Sequence, residues 1–354
     1  MPEPANYNDT LREEATMQTT PCLRRVMRCF AVVLALLLPL QRVSQVSAAE
    51  LTELKVGLSD TVNTALAIWM ADTAGFYAAH GLKVEIINMN GGSRGSQELA
   101  AGRIDVMHVG LSSVVRLNRA GSDLRLIASL SNVIRFTFFS NPSVKTAADL
   151  KGTVVGITTF GSESDTTVTL ALQRLGLTRN DVTLKEYGGN TRRLEAMKSG
   201  EIKATAMNEP GSSMAREQGY NVMVDLVPEQ IPWLFTGLVV KRTTLDSRRD
   251  VLKRFLHATA EGNYLALTDE KRAKQVLAKE AKITDPKILD ISYNDFKQQS
   301  PPNIEPTRAG AENILAQFPP GGSTKLEDYI DVSILDDLKK DGTFTALQHK
   351  YSLR

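Results

Sequence analysis

The chain has 354 residues, and its 42 lysines and arginines nearly balance its 40 aspartates and glutamates, for a net charge of +2. Such a balance argues against a surface for a polyanion, so we expect no nucleic acid among its partners. The length allows two or three domains.

The first 49 residues have the pattern of a secretory signal peptide. Arg24, Arg25 and Arg28 precede an apolar run over residues 30–40, and small residues follow at 46–49. A basic region, an apolar stretch and a small-residue cleavage site in this order are typical of secreted proteins. The apolar run is too short to span a membrane as a helix. We therefore expect cleavage near Ala49 and a periplasmic product.

Two further features of this segment bear on the compartment. Arg24-Arg25 leaves twin-arginine export as a less favoured alternative to general secretion. Both cysteines, Cys22 and Cys29, lie in the predicted signal peptide. The mature chain is therefore predicted to have no disulfide and no thiol.

From residue 50 the sequence alternates between short apolar runs and amphipathic stretches. The runs over residues 54–58, 84–87 and 104–109 predict strands, and each enters a turn of small or hydroxyl-bearing residues that opens a helix. The same order returns with strands predicted over residues 153–157, 182–186 and 202–207. Alternating strands and helices predict an α/β fold with two similar lobes, each with a parallel sheet covered by helices.

The last third of the chain has a different pattern. After a strand predicted over residues 235–241, apolar residues recur at helical spacing through most of the sequence. Helices are predicted over residues 246–267, 269–280, 287–296, 307–317 and 331–340. We interpret this region as a helical C-terminal tail that packs on the first lobe.

The turn within residues 151–165 shows how these lobes could bind a ligand. The strand over residues 153–157 runs into a glycine- and hydroxyl-rich turn, and a helix begins near Ser162. A helix N-terminus offers free backbone N–H groups and a partial positive charge, which suit an anion or a polar ligand. The simpler interpretation is that Ser162 or Ser164 caps the helix. Similar turns after six strands favour a ligand cleft, because open α/β sheets bind ligands at the carboxyl ends of their strands.

The predicted ligand contacts therefore lie in these turns. In the first lobe they are Asp60, Thr61, Asn63, Gly92, Ser93, Leu111, Ser112 and Ser113. In the second lobe they are Phe160, Gly161, Ser162, Gly189, Asn190, Asn208 and Glu209. Serines and glycines at helix N-termini favour an anion, whereas Asp60 and Glu209 favour a cationic or hydrogen-bond-donating ligand. The pattern leaves both classes open.

Four stretches together resemble a known family. They are GFYAAHGLKVEI (75–86), ELAAGRIDVMHVG (98–110), TAADLKGTVVGI (146–157) and GEIKATAMNEP (200–210). Their order is similar to that in substrate-binding proteins of ABC importers, of the nitrate, sulfonate and taurine type. That type shares its fold with binders of thiamine pyrimidine precursors. The resemblance covers about residues 53–340.

The resemblance implies a type II periplasmic binding protein with two lobes and two hinge crossovers. The crossovers would lie near Phe138–Val144 and Pro232–Gly237. Lobe 1 would comprise residues 50–144 plus 235–354, including the helical tail, and lobe 2 residues 145–234. Closure of such lobes around a ligand is a known hinge mechanism.

The resemblance also implies a function. The protein would capture a small organic ligand, a sulfonate, a carboxylate or a pyrimidine-like molecule. As a monomer it would deliver this ligand to an ABC permease of the inner membrane that is powered by a cytoplasmic ATPase. We expect no catalytic residue, cofactor or metal, since no metal-ligand spacing such as HxH or HExxH occurs. Among the histidines, His108 lies on a strand near the predicted cleft.

Two alternatives remain open. An enzyme on the same scaffold is one, although the relatives with known chemistry use cysteine, which the mature chain lacks. A sensor that docks on a membrane receptor is the other.

Overall fold

The computed structural model describes residues 50–353. The predicted signal peptide and both cysteines lie outside these residues, as does residue 354. Within the described range, no helix has both the length and the apolar character that crossing a membrane requires.

The described chain contains two five-stranded sheets, one in each lobe. The first has the strand order β2-β1-β3-β10-β4, in which β1 runs parallel to β2 and β3, and β10 runs antiparallel to β3 and β4. Its strands are β1 (Thr52–Leu58), β2 (Leu82–Asn88), β3 (Val106–Val109), β4 (Leu124–Val133) and β10 (Pro232–Lys241). The burial of nearly every residue of β3 and β10 is typical of strands covered on both faces.

The second sheet repeats this plan with the order β7-β6-β8-β5-β9. Strand β6 runs parallel to β7 and β8, and β5 runs antiparallel to β8 and β9. Its strands are β5 (Thr137–Ser140), β6 (Val154–Ile157), β7 (Thr183–Glu186), β8 (Ala204–Met207) and β9 (Asn221–Asp225). The predicted two-lobed α/β fold is thus confirmed.

Helices follow the parallel strands in both lobes. In the first they are α1 (Leu66–Thr73), α2 (Phe76–Ala79), α3 (Gly92–Ala100) and α4 (Leu111–Arg119). In the second they are α5 (Ala147–Leu150), α6 (Glu163–Arg174), α7 (Asn190–Ser199) and α8 (Gly211–Glu217). Because α3, α4, α6 and α7 begin where β2, β3, β6 and β7 end, their N-termini gather at the carboxyl edges of the two sheets.

The C-terminal region forms seven helices. They are α9 (Arg242–Ser247), α10 (Arg249–Thr268), α11 (Glu270–Glu280), α12 (Pro286–Gln299), α13 (Arg308–Leu315), α14 (Ser333–Lys340) and α15 (Thr343–Tyr351). The long helix α10 buries Leu252, Phe255 and Leu256 in the core of the first lobe. It approaches α1 closely at Gly262, where a Cβ atom would clash with the Ala67 carbonyl oxygen. The predicted helix over 246–267 is divided near Arg248, and α15 was not predicted.

Two connections join the lobes. The first comprises residues 134–136, between β4 and β5, and the second residues 226–231, between β9 and β10. Both differ from the predicted crossovers, since Thr137–Ser140 pairs within the second sheet and Pro232–Lys241 within the first. The apolar run that contains β5 could have joined either sheet. Its pairing with β8 and β9 places it in the second lobe.

Candidate functional site

A small cavity lies between the lobes, where the carboxyl edges of the two sheets meet. Its volume is about 50 Å³, whereas ligand pockets commonly measure about 300–1,000 Å³. A cavity of this size holds no more than a few heavy atoms. The lining residues are Ser59, Asp60, Val62, Gly92, Val109, Gly110, Phe136, Thr158, Ser162, Glu163, Ser164, Arg193, Asn208, Phe235 and Thr236.

Glu163, the first residue of α6, extends from the second lobe to the first. Its Oε1 accepts a hydrogen bond from the backbone N–H of Ser112 at 3.1 Å, and its Oε2 accepts one from the Ser112 hydroxyl at 3.1 Å. Oε2 also accepts from Nε1 of Trp233 at 2.9 Å. Gly110 makes room for this carboxyl group, because a Cβ atom there would clash with it. Glu163 thus occupies the N-terminus of α4 and contacts the first residues of β10.

The environment of Glu163 changes its acidity. Burial disfavours the charged form and raises the pKa of Glu163 from 4.5 to about 7, although hydrogen bonds from Trp233 and Ser112 partly oppose this rise. The group therefore changes its charge near neutral pH. It can accept hydrogen bonds in both states and donates one only when it is protonated.

Asp60 makes the reciprocal contact from the first lobe. Its Oδ2 accepts a hydrogen bond from the backbone N–H of Asn190 at 2.8 Å, at the N-terminus of α7 in the second lobe. A Cβ atom at Gly189 would clash with this carboxylate, so the glycine permits the approach. Oδ1 accepts from the N–H of Thr61 at 2.8 Å. Each lobe therefore places a carboxylate on a helix N-terminus of the other.

Arg193 is the buried cation of the site, with 1% of its surface exposed. Its guanidinium donates hydrogen bonds to the Gly188 carbonyl, the Ala206 carbonyl, the Thr205 hydroxyl and the Asn190 side chain. Burial lowers the pKa of Arg193 to about 10, which leaves it charged at neutral pH. Its hydrogen bonds are thus directed to acceptors of the protein itself.

The amides beside Arg193 extend this network to the cavity. Nδ2 of Asn190 donates to Oδ1 of Asn208 at 3.0 Å. Asn208 lines the cavity, and so does Thr236 from the first lobe. The buried hydroxyl of Thr236 has no hydrogen-bond partner within the described part of the chain. Asn208 and Thr236 thus line the cavity from opposite lobes.

A second set of contacts closes the rim of the cleft. The Ser93 hydroxyl donates to the Phe160 carbonyl at 2.7 Å, and Ser113 donates to the Gly161 carbonyl at 3.4 Å. Arg116 also donates to the Gly161 carbonyl and to Ser93. The side chain of Phe160 is 48% exposed and borders an open groove of about 1,100 Å³. These contacts hold the turn before α6 against the first lobe.

Two predicted contacts are directed away from the cavity. Glu209 accepts hydrogen bonds from the Ser212 and Ser213 hydroxyls at the start of α8. Asn63 donates to the Ser292 carbonyl and to Asp295 on α12. The Ser292 hydroxyl also donates to Oε2 of Glu209 at 3.5 Å, so both side chains connect the lobes to the helical tail.

The other predicted residues fall into three groups. Asp60, Gly92, Ser162 and Asn208 line the cavity. Ser93, Ser112, Ser113, Phe160, Gly161, Gly189 and Asn190 form contacts around it. Thr61 lies at the rim, where its hydroxyl accepts from Asn88, and Leu111 is fully buried in the core.

Sequence reasoning missed Glu163, Arg193, Thr158, Ser164 and Thr236. Glu163 directly follows the predicted Ser162, and Arg193 lies one helical turn after Asn190. Both are charged residues in the first turn of a helix, which usually face solvent. His108 is absent from the cavity lining. It is fully buried, lies 3.2 Å from the Thr64 hydroxyl, and burial lowers its pKa to about 4.

Two five-stranded α/β lobes that enclose a cavity define the class of the molecule, the two-lobed fold of periplasmic binding proteins. The chain belongs to the NMT1/THI5-like family, which matches its residues 63–273. The resemblance to binding proteins of this fold is thereby confirmed.

Individual proteins show the same likeness. The riboflavin-binding protein RibY of Chloroflexus aurantiacus is 26% identical over 210 residues, which span 57% of this chain and 59% of that protein. A solved structure from Bordetella bronchiseptica RB50 has a TM-score of 0.72 at 20% identity and covers 82% of this chain and 98% of its own. The alkanesulfonate-binding protein SsuA from Xanthomonas axonopodis pv. citri, bound to MOPS, has a TM-score of 0.65 at 18% identity over 76% and 91% of the two chains.

Proposed function

We propose that this chain is an extracytoplasmic solute-binding protein that encloses a small organic ligand between its lobes. The observation that carries this proposal is the pair of reciprocal contacts that Glu163 and Asp60 each make with the opposite lobe, which close the lobes over the cavity. Membership of the NMT1/THI5-like family and the fold support it. A solute-binding protein of this kind encloses its ligand when the two lobes meet, and the contacts of Glu163 and Asp60 form only in that closed state.

We infer that the ligand is neutral and pyrimidine-like, in preference to a sulfonate or a carboxylate. Two of the four helix N-termini at the cleft, those of α4 and α7, already hold the Glu163 and Asp60 carboxyl groups. The buried Arg193 directs its hydrogen bonds to protein acceptors. An anion in the cavity would therefore add charge beside these carboxyl groups, while Arg193, the one cation among the described residues that line the cavity, already bonds to protein acceptors.

A heterocycle with both N–H and C=O groups fits the same lining. Its N–H groups would donate to Asp60 or Glu163, and its carbonyls would accept from Asn208 or Thr236. Unpartnered buried polar groups such as the Thr236 hydroxyl favour ligands that complete their hydrogen bonds. A flavin contains a ring of this kind, and the relative RibY is named for riboflavin binding.

Closure of the lobes would couple ligand binding to transport. A ligand shifts the population of two states only by the difference between its affinities for them. A ligand that contacts both lobes binds the closed form more tightly, so it stabilises the surface that a permease would recognise. From the fold and the family we further propose that the protein acts in the periplasm as a monomer that serves an ABC permease and its ATPase, without a catalytic role.

A thermal-shift screen tests the ligand class. Pyrimidines, riboflavin, alkanesulfonates and nitrate are each added to the purified protein. We expect a pyrimidine or flavin to raise the melting temperature, because a ligand that binds only the folded state stabilises it. Stabilisation by a sulfonate or nitrate alone would refute the proposed ligand class. The absence of any shift across the panel would refute the solute-binding function for these classes.

A further inference from the structure

A compact group of three side chains lies outside the cleft. His257 and Glu261 are one turn apart on α10 and share a face of that helix. His80, which follows α2, approaches them from the first lobe. The potential ligand atoms of these three residues all lie within 4.8 Å of one another. Nε2 of His80 is 3.8 Å from Oε2 of Glu261, and the imidazole centroids are 4.3 Å apart.

The carboxylate of this group is already oriented. Its Oε1 accepts hydrogen bonds from Lys350 and from the Tyr351 hydroxyl on α15, which leaves Oε2 directed toward His80. Hydrogen bonds to the far oxygen of a carboxylate commonly fix metal ligands in place.

The imidazoles are available as ligands too. The His257 ring is half-buried beside that of His80, so a nitrogen of each imidazole can face the same ion. His80 is 23% exposed, so an ion can reach it from solvent. Ligand atoms around a tetrahedral zinc ion are about 3.3 Å apart. Small side-chain rotations would bring the present group to that geometry.

We propose that His80, His257 and Glu261 bind a divalent transition-metal ion of the zinc class. Two imidazole nitrogens and one carboxylate oxygen suit zinc, nickel or copper better than calcium or magnesium, which prefer oxygen ligands. Water would complete the coordination sphere. The bound ion would fasten the turn before β2 to α10 and, through Glu261, to α15.

This site is separate from the ligand cleft. His80 precedes β2, so it lies at the amino edge of the first sheet, whereas the cleft lies at the carboxyl edge, beyond Asn88. Loss of the ion should therefore leave ligand binding unchanged. The metal site and the proposed solute-binding function can fail independently.

Zinc titration of tag-free, chelator-treated protein tests the proposal. We expect one saturable ion per chain, and at least tenfold weaker binding in His80→Ala and in His257→Ala. His349→Ala is the matched control, because His349 is exposed on α15 next to Lys350 and outside the group. It should bind zinc like the wild type. Circular dichroism confirms that each variant is folded.

Cobalt provides a readout that does not depend on a variant. Cobalt bound by these three residues should show the intense visible absorption of a four- or five-coordinate site, which zinc then bleaches. Weak, non-saturable binding, or binding that is the same in wild type, His80→Ala and His257→Ala, would overturn the proposal.

Discussion

Glu163 and Asp60 use the same contact in two different environments. Each carboxylate crosses the cleft to a helix N-terminus of the other lobe. Glu163 is buried and accepts three hydrogen bonds, one of them from the hinge-side residue Trp233. Asp60 is partly exposed, and each of its two carboxylate oxygens accepts a hydrogen bond from a backbone N–H group. We therefore expect the buried Glu163 contact to stabilise the closed lobes more than the Asp60 contact, because water competes for exposed groups and not for buried ones.

Removal of the buried carboxyl should have the largest effect. Glu163→Ala leaves the Ser112 and Trp233 donors without their acceptor, and each buried unsatisfied group costs about 1–3 kcal/mol. We expect the free energy of unfolding to fall by about 3 kcal/mol. Urea denaturation at pH 6, where Glu163 is mostly neutral, measures this loss.

The matched control is Glu312→Ala, in which an exposed carboxylate on α13 is removed. Its stability should stay within about 0.5 kcal/mol of the wild type. An equally small change in Glu163→Ala would show that the cross-cleft contact is weak in solution.

The free energy of unfolding should depend on pH through Glu163. The pKa of Glu163 is about 7 in the folded protein, against an ordinary 4.5, so the folded state holds the proton more tightly. Its contribution to stability therefore rises as the pH falls from about 7 toward 4.5, by at most about 3 kcal/mol. His108 opposes this trend, because its pKa is lowered to about 4. Glu209 acts in the same direction as Glu163, because burial raises its pKa too.

Glu163→Gln isolates the effect of this one group. The difference in unfolding free energy between wild type and Glu163→Gln should increase in favour of the wild type between pH 8 and pH 5. Trp233 fluorescence reports the same titration, since its indole N–H contacts the carboxyl group. A difference that is independent of pH would show that Glu163 does not titrate in this range.

The sequence predicts the scaffold far better than the contacts that close it. Apolar periodicity located the parallel strands of both sheets and β10, because buried strands and helix faces have local signatures. Glu163 was not predicted as a site residue, because an acidic residue in the first turn of a helix normally interacts with the dipole of that same helix. Its partner Ser112 is 51 positions away, and only the approach of the lobes brings them together. Arg193 was missed because its burial depends on hydrogen bonds to Thr205 and Ala206 of β8, which the helix pattern alone does not show.

The exposed partner should have a smaller effect. Asp60→Asn keeps the shape of the side chain and removes the charge beside the α7 N-terminus. Such a charge contributes about 0.5–1 kcal/mol at a partly exposed site. Thermal unfolding at low and high salt measures it. The stability difference between wild type and Asp60→Asn should shrink in high salt. A loss of stability as large as that of Glu163→Ala would contradict the role proposed for burial.

Phe160→Ala should have the smallest effect on stability. The side chain is 48% exposed, so its removal should change the unfolding free energy by less than about 0.5 kcal/mol. If the ring stacks on a planar ligand, affinity should nevertheless fall several-fold. Calorimetry separates the two quantities, and an unchanged affinity would exclude Phe160 from the ligand site.

The most direct test of the account is a calorimetric titration of wild type, Glu163→Ala and Glu312→Ala with the best pyrimidine or flavin from the screen. We expect Glu163→Ala to bind at least tenfold more weakly, a loss of about 1.4 kcal/mol or more, and Glu312→Ala to bind like the wild type. Equal affinity in all three proteins would contradict the claim that the contact that closes the lobes is also part of the ligand site.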